Sequence, residues 1–174
     1  MAFNRGMGRN HRLVRQHGQG GKRVDAFTAF ARFPSVLVLH VSRSWVNYLA
    51  PFLLTRRLLP TLRHSAPARI VNVSSAGQAP IDFRDVMLER RYDGVQAYCQ
   101  SKLALVMFTF DLAEALASTG VTASCLHPAT YMLTKMVLAA RGSGVSSIEE
   151  GVQATTHLIT APELDQVTGG SGTI

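Results

Sequence analysis

Two tyrosine and lysine pairs carry the side chains in this sequence best suited to moving protons. Tyr98 and Lys102 stand four residues apart in YCQSK, and Tyr131 and Lys135 stand four apart in YMLTK. An ammonium a few ångströms from a phenol favours the phenolate and lowers its pKa from about 10, which suits the phenol to general acid and base work near neutral pH. With four Tyr and three Lys in 174 residues, chance supplies such a spacing about 0.07 times. At most one pair is expected to be an active site, and the surroundings must choose between them.

The first pair opens a long helix expected over 97–118, whose centre LALVMF is apolar all round and which Gly120 closes. A four-residue offset stacks Tyr98 and Lys102 on one helical face. The second pair follows a strand end and Pro128 in a segment without periodicity, so Tyr131 and Lys135 are not expected to be catalytic. Around the first pair, 46–64 reads as a helix distorted by Pro51 and Pro60, and RIVNVSS (69–75) and VTASCLH (121–127) read as buried strands. Residues 76–96 form a longer excursion, and Ser146 or Ser147 with Glu149 or Glu150 caps a last helix reaching about residue 160.

Strands alternating with helices, the strands nearly all apolar, predict an α/β fold with a doubly wound parallel sheet covered on both faces. Ligands of such sheets sit beyond the carboxyl ends of the strands. Those ends are Ser74-Ser75 and His127-Pro128-Ala129-Thr130. Ser75 could offer its hydroxyl to a substrate carbonyl oxygen, and Asn47 on the preceding helix could hold a water that reconnects the site to solvent. Each residue alone has a plainer reading: a serine pair as a turn or cap, Asn47 as a local backbone hydrogen-bonder, Tyr98 as a half-buried core side chain. His127 reads as a structural strand-end residue. No His/Cys/Asp pattern suggests a metal.

Charge divides the chain in two. Residues 1–44 hold eight Lys/Arg against Asp25 alone, the whole net charge of +7, whereas 45–174 balances to zero. The basic head is rich in Gly, Arg and His and poor in periodic apolar positions, so poor order is expected over 1–44. Its one strand-like run is SVLVLHV, 35–41. Nucleic acid is not the expected partner despite the charge, because the whole basic excess belongs to this head. Cys99 and Cys125 are expected to be reduced and buried in a cytoplasmic protein. No run reaches the length of a membrane span, and the start does not read as a secretory signal.

Taken in order, VNYLAPFLLT around Asn47, RIVNVSS ending at Ser75, AYCQSKLA and VTASCLHPATYMLTKM resemble the short-chain dehydrogenase/reductase family over 45–168. The excursion with IDFRD and RRYDG is similar to the retinol-dehydrogenase-like branch. The resemblance implies a Rossmann-like sheet, NAD or NADP as cofactor, and an alcohol or carbonyl as small-molecule substrate. By it Tyr98 is the acid/base, Lys102 favours its phenolate and holds the nicotinamide ribose, Ser75 orients the carbonyl, and Asn47 supports the proton relay. Pro128, Ala129 and Thr130 would lie along the nicotinamide, Tyr131 and Lys135 would fall in a lid-like segment, and helices 46–64 and 97–118 would form a homo-oligomer. The apolar Ile81, Phe83, Val86, Met87 and Leu88 lean towards a lipophilic substrate.

Two parts depart from the family pattern. No strand leads through TGxxxGxG into a helix that could receive a pyrophosphate, and Gly18-Gln-Gly20-Gly21 has neither flanking element. After Val167-Thr-Gly169 the tail GSGTI also leaves the pattern. The expectation is a partial domain, 45–174, whose N-terminal cofactor-binding half is missing or replaced. The head would be a rearranged or out-of-frame reading joined near residue 45, or else an arm for a polyanion on a domain that no longer catalyses. Little turnover is expected from such a chain.

Overall fold

The computed structural model describes residues 43–173. The expectation of poor order in the head falls almost wholly on 1–42, outside the described residues. A π-helical turn, Trp45–Leu49, leads into α1 (Ala50–His64), followed by β1 (Ala68–Val73), α2 (Gly94–Ala115), β2 (Val121–His127), α3 (Lys135–Arg141), α4 (Ile148–Thr160), a 3-10 turn (Pro162–Leu164) and β3 (Ser171–Thr173). The strands form a parallel sheet in the order β1-β2-β3, Ala68 opposite Val121 and Val73 opposite Leu126.

Successive side chains of a strand point to opposite faces, and Ile70 and Val71 do so here. Ile70 joins the core of α1 and α2 with Tyr48, Leu105, Phe108, Leu112 and Ala123. Val71 joins the α4 side with Leu126, Ala154, Leu158 and Leu164. The expected α/β sheet covered on both faces is therefore present. On the first face the rings of Tyr48 and Phe52 stack at 5.9 Å, and Phe108 meets Phe52 edge-on at 5.0 Å. Burial pushes the Tyr48 phenol up to about 12, with the Asp111 carboxylate adding to the effect.

The helices differ from expectation in instructive ways. Pro51 sits in the first turn of α1, where a missing N–H costs least, and the irregularity appears just before it: Ala50 donates to the Trp45 carbonyl, the wide π register. Pro60 is carried inside the helix. The helix expected at 97 begins at Gly94, because the Asp93 carboxylate accepts from the Gln96 N–H at 2.7 Å and caps it. It ends at Ala115, and Gly120, at φ +75°, closes the turn that follows. Ser147 is the cap of α4, accepting from the Glu150 N–H at 3.0 Å.

The tail GSGTI, which leaves the family's sequence pattern, still takes part in the fold: Ser171–Thr173 pairs in parallel with β2, Cys125 opposite Ser171. Gly and Ser carry little strand preference of their own, so the neighbouring strand, not the local sequence, makes this one.

Candidate active site

Ser75 lies just past β1. The ladder still holds at Ser74, whose N–H donates to the Leu126 carbonyl at 2.8 Å, so the two strand ends finish side by side. The chain then turns sharply: the Gly77 N–H donates to the Ser75 Oγ at 3.1 Å, and the Gln78 side chain donates to the Ser75 carbonyl at 2.9 Å. With its oxygen accepting from Gly77, the Ser75 hydroxyl keeps its proton to donate. A Cβ built on Gly77 would stand 3.5 Å from the Ser75 Oγ and 3.7 Å from Tyr98 Cε1. The Ser75 hydroxyl and the Tyr98 ring thus both lie next to Gly77, a residue that has no side chain.

Tyr98 and Lys102 occupy the second and third turns of α2, both half-buried. The Lys102 Nζ is 5.7 Å from the centre of the Tyr98 ring and donates to the Val73 carbonyl at 3.0 Å. Ser74 Oγ donates to the Lys102 carbonyl at 3.2 Å, which ties the helix to the end of β1 from the other direction. Burial pushes the Lys102 ammonium below its ordinary pKa. Asn47 reaches the same place through a neighbour: its Nδ2 donates to Ser101 Oγ at 3.2 Å, and that hydroxyl donates to the Tyr98 carbonyl at 2.7 Å. Pro51, four residues on, brings no N–H to the Asn47 carbonyl.

The structure therefore brings Asn47, Ser75, Tyr98 and Lys102 together. Pro128 and Ala129 are buried beyond β2, and Thr130 is exposed, its Oγ1 3.4 Å from His127 Nε2. Burial pushes the His127 pKa below its ordinary value, so the ring is neutral at pH 7 and one nitrogen can accept. Ser101, Gly77 and Gln78 were missed from the sequence. Ser101 had a signal, three residues from Tyr98 on the same helix; the two turn residues had none beyond a glycine after a strand.

The second pair is arranged differently. Tyr131 sits in a turn at φ +45°, and Lys135 begins α3, so no helix holds the two in register. The Tyr131 ring instead has the Arg141 guanidinium 3.8 Å above its centre. The excursion is also less open than its composition suggests: Val86 and Leu88 are buried, Ile81 packs against the core, and Phe83 is exposed. Cys125 is buried and Cys99 half-buried, both as free thiols. Among the described residues no three His, Cys, Asp or Glu side chains are placed to hold a metal ion. Nor is any helix among them long and apolar enough to cross a membrane.

Known proteins are similar to this chain. Human retinol dehydrogenase 12 is 40% identical over 134 residues, covering 71% of this chain and 42% of its own length. Mouse retinol dehydrogenase 13 is 51% identical over 86 residues, 48% of this chain and 26% of its own. The chain thus spans under half the length of these relatives. Among solved structures, salutaridine reductase from Papaver somniferum superposes with a TM-score of 0.59 at 22% identity, over 74% of this chain and 52% of its own. NADPH-bound carbonyl reductase from chicken fatty liver gives 0.58 at 23% identity, over 82% and 56%. These two likenesses establish the fold. The family model described as short chain dehydrogenase matches residues 41–142, a stretch that runs from before Asn47 to beyond Thr130. Over most of its described length, then, this chain belongs to the short chain dehydrogenase family, on its retinol-dehydrogenase-like side.

Proposed function

We propose that this chain interconverts an alcohol and a carbonyl with NAD or NADP, Tyr98 acting as the acid/base. The observation that carries the reading is that the Ser75 hydroxyl and the Tyr98 ring both lie next to Gly77, with the Lys102 ammonium over the same ring. In carbonyl reduction Ser75 donates its hydrogen bond to the substrate oxygen, and Tyr98 gives that oxygen its proton. Oxidation runs the same transfers backwards. Lys102 sits over the Tyr98 ring, its Nζ 5.7 Å from the ring centre. Asn47, fixed through Ser101, positions the helix turn that carries Lys102 and supports a proton relay to solvent.

The residues present fit the nicotinamide end of the cofactor. Lys102 and Tyr98 offer donors to a ribose, and Pro128, Ala129 and Thr130 line the strand ends beside them. The nicotinamide would supply the hydride, since no side chain can. Among the described residues no strand passes through a glycine-rich turn into a helix of the kind that cradles a pyrophosphate, so the described residues alone would grip only the nicotinamide end. A deficit of about 4 kcal/mol is roughly a thousandfold in affinity, which moves a micromolar site into the millimolar range. We expect weak cofactor binding and slow turnover as a consequence.

Exposed Phe83 and half-buried Met87 support a lipophilic substrate. Exposed Leu53, Leu54 and Leu58 on α1 and half-buried Leu103 and Met107 on α2 support self-association through these two helices. Light scattering at tens of micromolar tests the latter, and a clean monomer would count against it. The central reading is tested by titrating NADH and NADPH while following nicotinamide fluorescence. Millimolar saturation that strengthens the signal of a bound carbonyl competitor supports it. Micromolar binding would overturn the weak-grip part, and no saturation at all would favour an inactive relative, with salt-sensitive RNA binding pointing to a polyanion arm.

A further inference from the structure

Several described glycines have a structural reason to lack a side chain. Gly120, Gly142 and Gly169 sit at positive φ, where a Cβ is strained. A Cβ on Gly144 would stand 2.8 Å from the Tyr131 carbonyl oxygen, and one on Gly151 would collide with the Met132 sulfur. Gly77 is under neither constraint. Its φ is not positive, and a Cβ built on it would meet Ser75 Oγ at 3.5 Å, Tyr98 Cε1 at 3.7 Å and Cys99 Sγ at 3.7 Å. Those are ordinary van der Waals separations. The turn that carries Gly77 is pinned by its N–H to Ser75 Oγ and by the Gln78 side chain to the Ser75 carbonyl. Beside Ser75 and Tyr98 the chain thus leaves room for one carbon atom.

We propose that Gly77 sets the substrate class: the space it leaves receives the smaller substituent of a ketone, so the site takes methyl ketones and the matching secondary alcohols. The proposal rests on the catalytic reading of Ser75 and Tyr98 and deepens it. A substrate oxygen accepting from Ser75 Oγ lies about 2.7 Å away. The carbonyl carbon is about 1.2 Å further and a carbon substituent about 1.5 Å beyond that. With bond angles allowed for, the substituents fall within about 5 Å of the Oγ, the shell in which a Gly77 Cβ would stand. Two carbons need about 3.5 Å between them, so a Cβ at 77 and a substrate methyl exclude one another. The hydrogen of an aldehyde leaves the space empty. A methyl fills it against Tyr98 Cε1 and Cys99 Sγ, and an ethyl meets the sulfur.

The test uses nonanal and methyl octyl ketone, which differ only by hydrogen against methyl on the carbonyl carbon, at millimolar cofactor. Aldehydes are the more easily reduced, so the readout is the ketone-to-aldehyde ratio of kcat/KM in each variant. Gly77→Ala is expected to lower that ratio at least about tenfold, the effect of one methyl in a shaped pocket. Cys99→Ala, which removes the sulfur bounding the space, should shift the preference severalfold from methyl towards ethyl octyl ketone. Equal losses on both substrates in Gly77→Ala, no shift in Cys99→Ala, or reduction of the aldehyde alone by the unaltered chain overturns the proposal and leaves the catalytic reading standing. If neither carbonyl is reduced, the catalytic reading fails, and the subsite is judged from the half-buried Cys99 thiol. Methyl octyl ketone should then slow alkylation of Cys99 by iodoacetamide severalfold in the unaltered chain and have no effect in Gly77→Ala, read by peptide mass. Alkylation indifferent to the ketone in the unaltered chain refutes the subsite as well.

Discussion

YCQSK and YMLTK have the same spacing and opposite fates. On α2 the four-residue offset survives as a spatial relation, because Asp93 caps the helix, Ser74 and Val73 hold its Lys102 turn, and Ser101 ties it to Asn47. Beyond β2 the offset straddles a turn and the start of a seven-residue helix, and Tyr131 pairs with Arg141 instead. A motif's spacing becomes geometry only where one regular element contains it. The surrounding hydrogen bonds then decide whether its groups meet anything else.

The sharpest way to break this comparison is to exchange the phenols for phenyls. Tyr98→Phe is expected to lower kcat about a thousandfold, within the range that a positioned acid/base supplies, while Tyr131→Phe changes it less than about twofold. Carbonyl reduction at millimolar cofactor, with circular dichroism to check folding, measures both; equal losses would dissolve the distinction. Lys102 sharpens it through pH. Burial holds the folded-state pKa of Lys102 below its ordinary 10.5, so the unfolded chain keeps this proton to higher pH. Stability then rises with pH from the lowered value up to about 10.5 and levels off above it. Lys102→Met should flatten that rise in a series of melts between pH 7 and 11.

Smaller effects come from the groups that hold each region. Asp93→Ala removes a cap bonded at 2.7 Å and should cost about 1 kcal/mol in urea unfolding. Thr134→Ala, whose oxygen accepts from Val137 at a longer 3.4 Å, should cost about half as much. Least of all, Arg141→Ala should cost about 0.5 kcal/mol, the value of an exposed cation over a ring, with kcat unchanged. A larger kinetic effect from Arg141 would return the second pair to the active site.

Periodicity and order of segments made most of this protein readable in advance. The short β-branched strand in 69–75, the caps that start α4, and the helix carrying Tyr98 and Lys102 follow from local rules: side-chain period, orphan N–H groups, stacking at four residues. Those rules act between neighbours, so a single chain read in order contains them. What they could not supply are relations between segments distant along the chain. Ser171–Thr173 becomes a strand because β2 offers it an edge, Val86 and Leu88 leave the substrate side for the interior, and Gly77 matters because Ser75 and Tyr98 close on it from residues more than twenty positions apart. The sequence by itself determined which residue types could do the chemistry and which elements would carry them. The tertiary structure alone decided which of two identical spacings meets a serine, because that depends on where β1 ends against α2, and no local interaction encodes the distance between them.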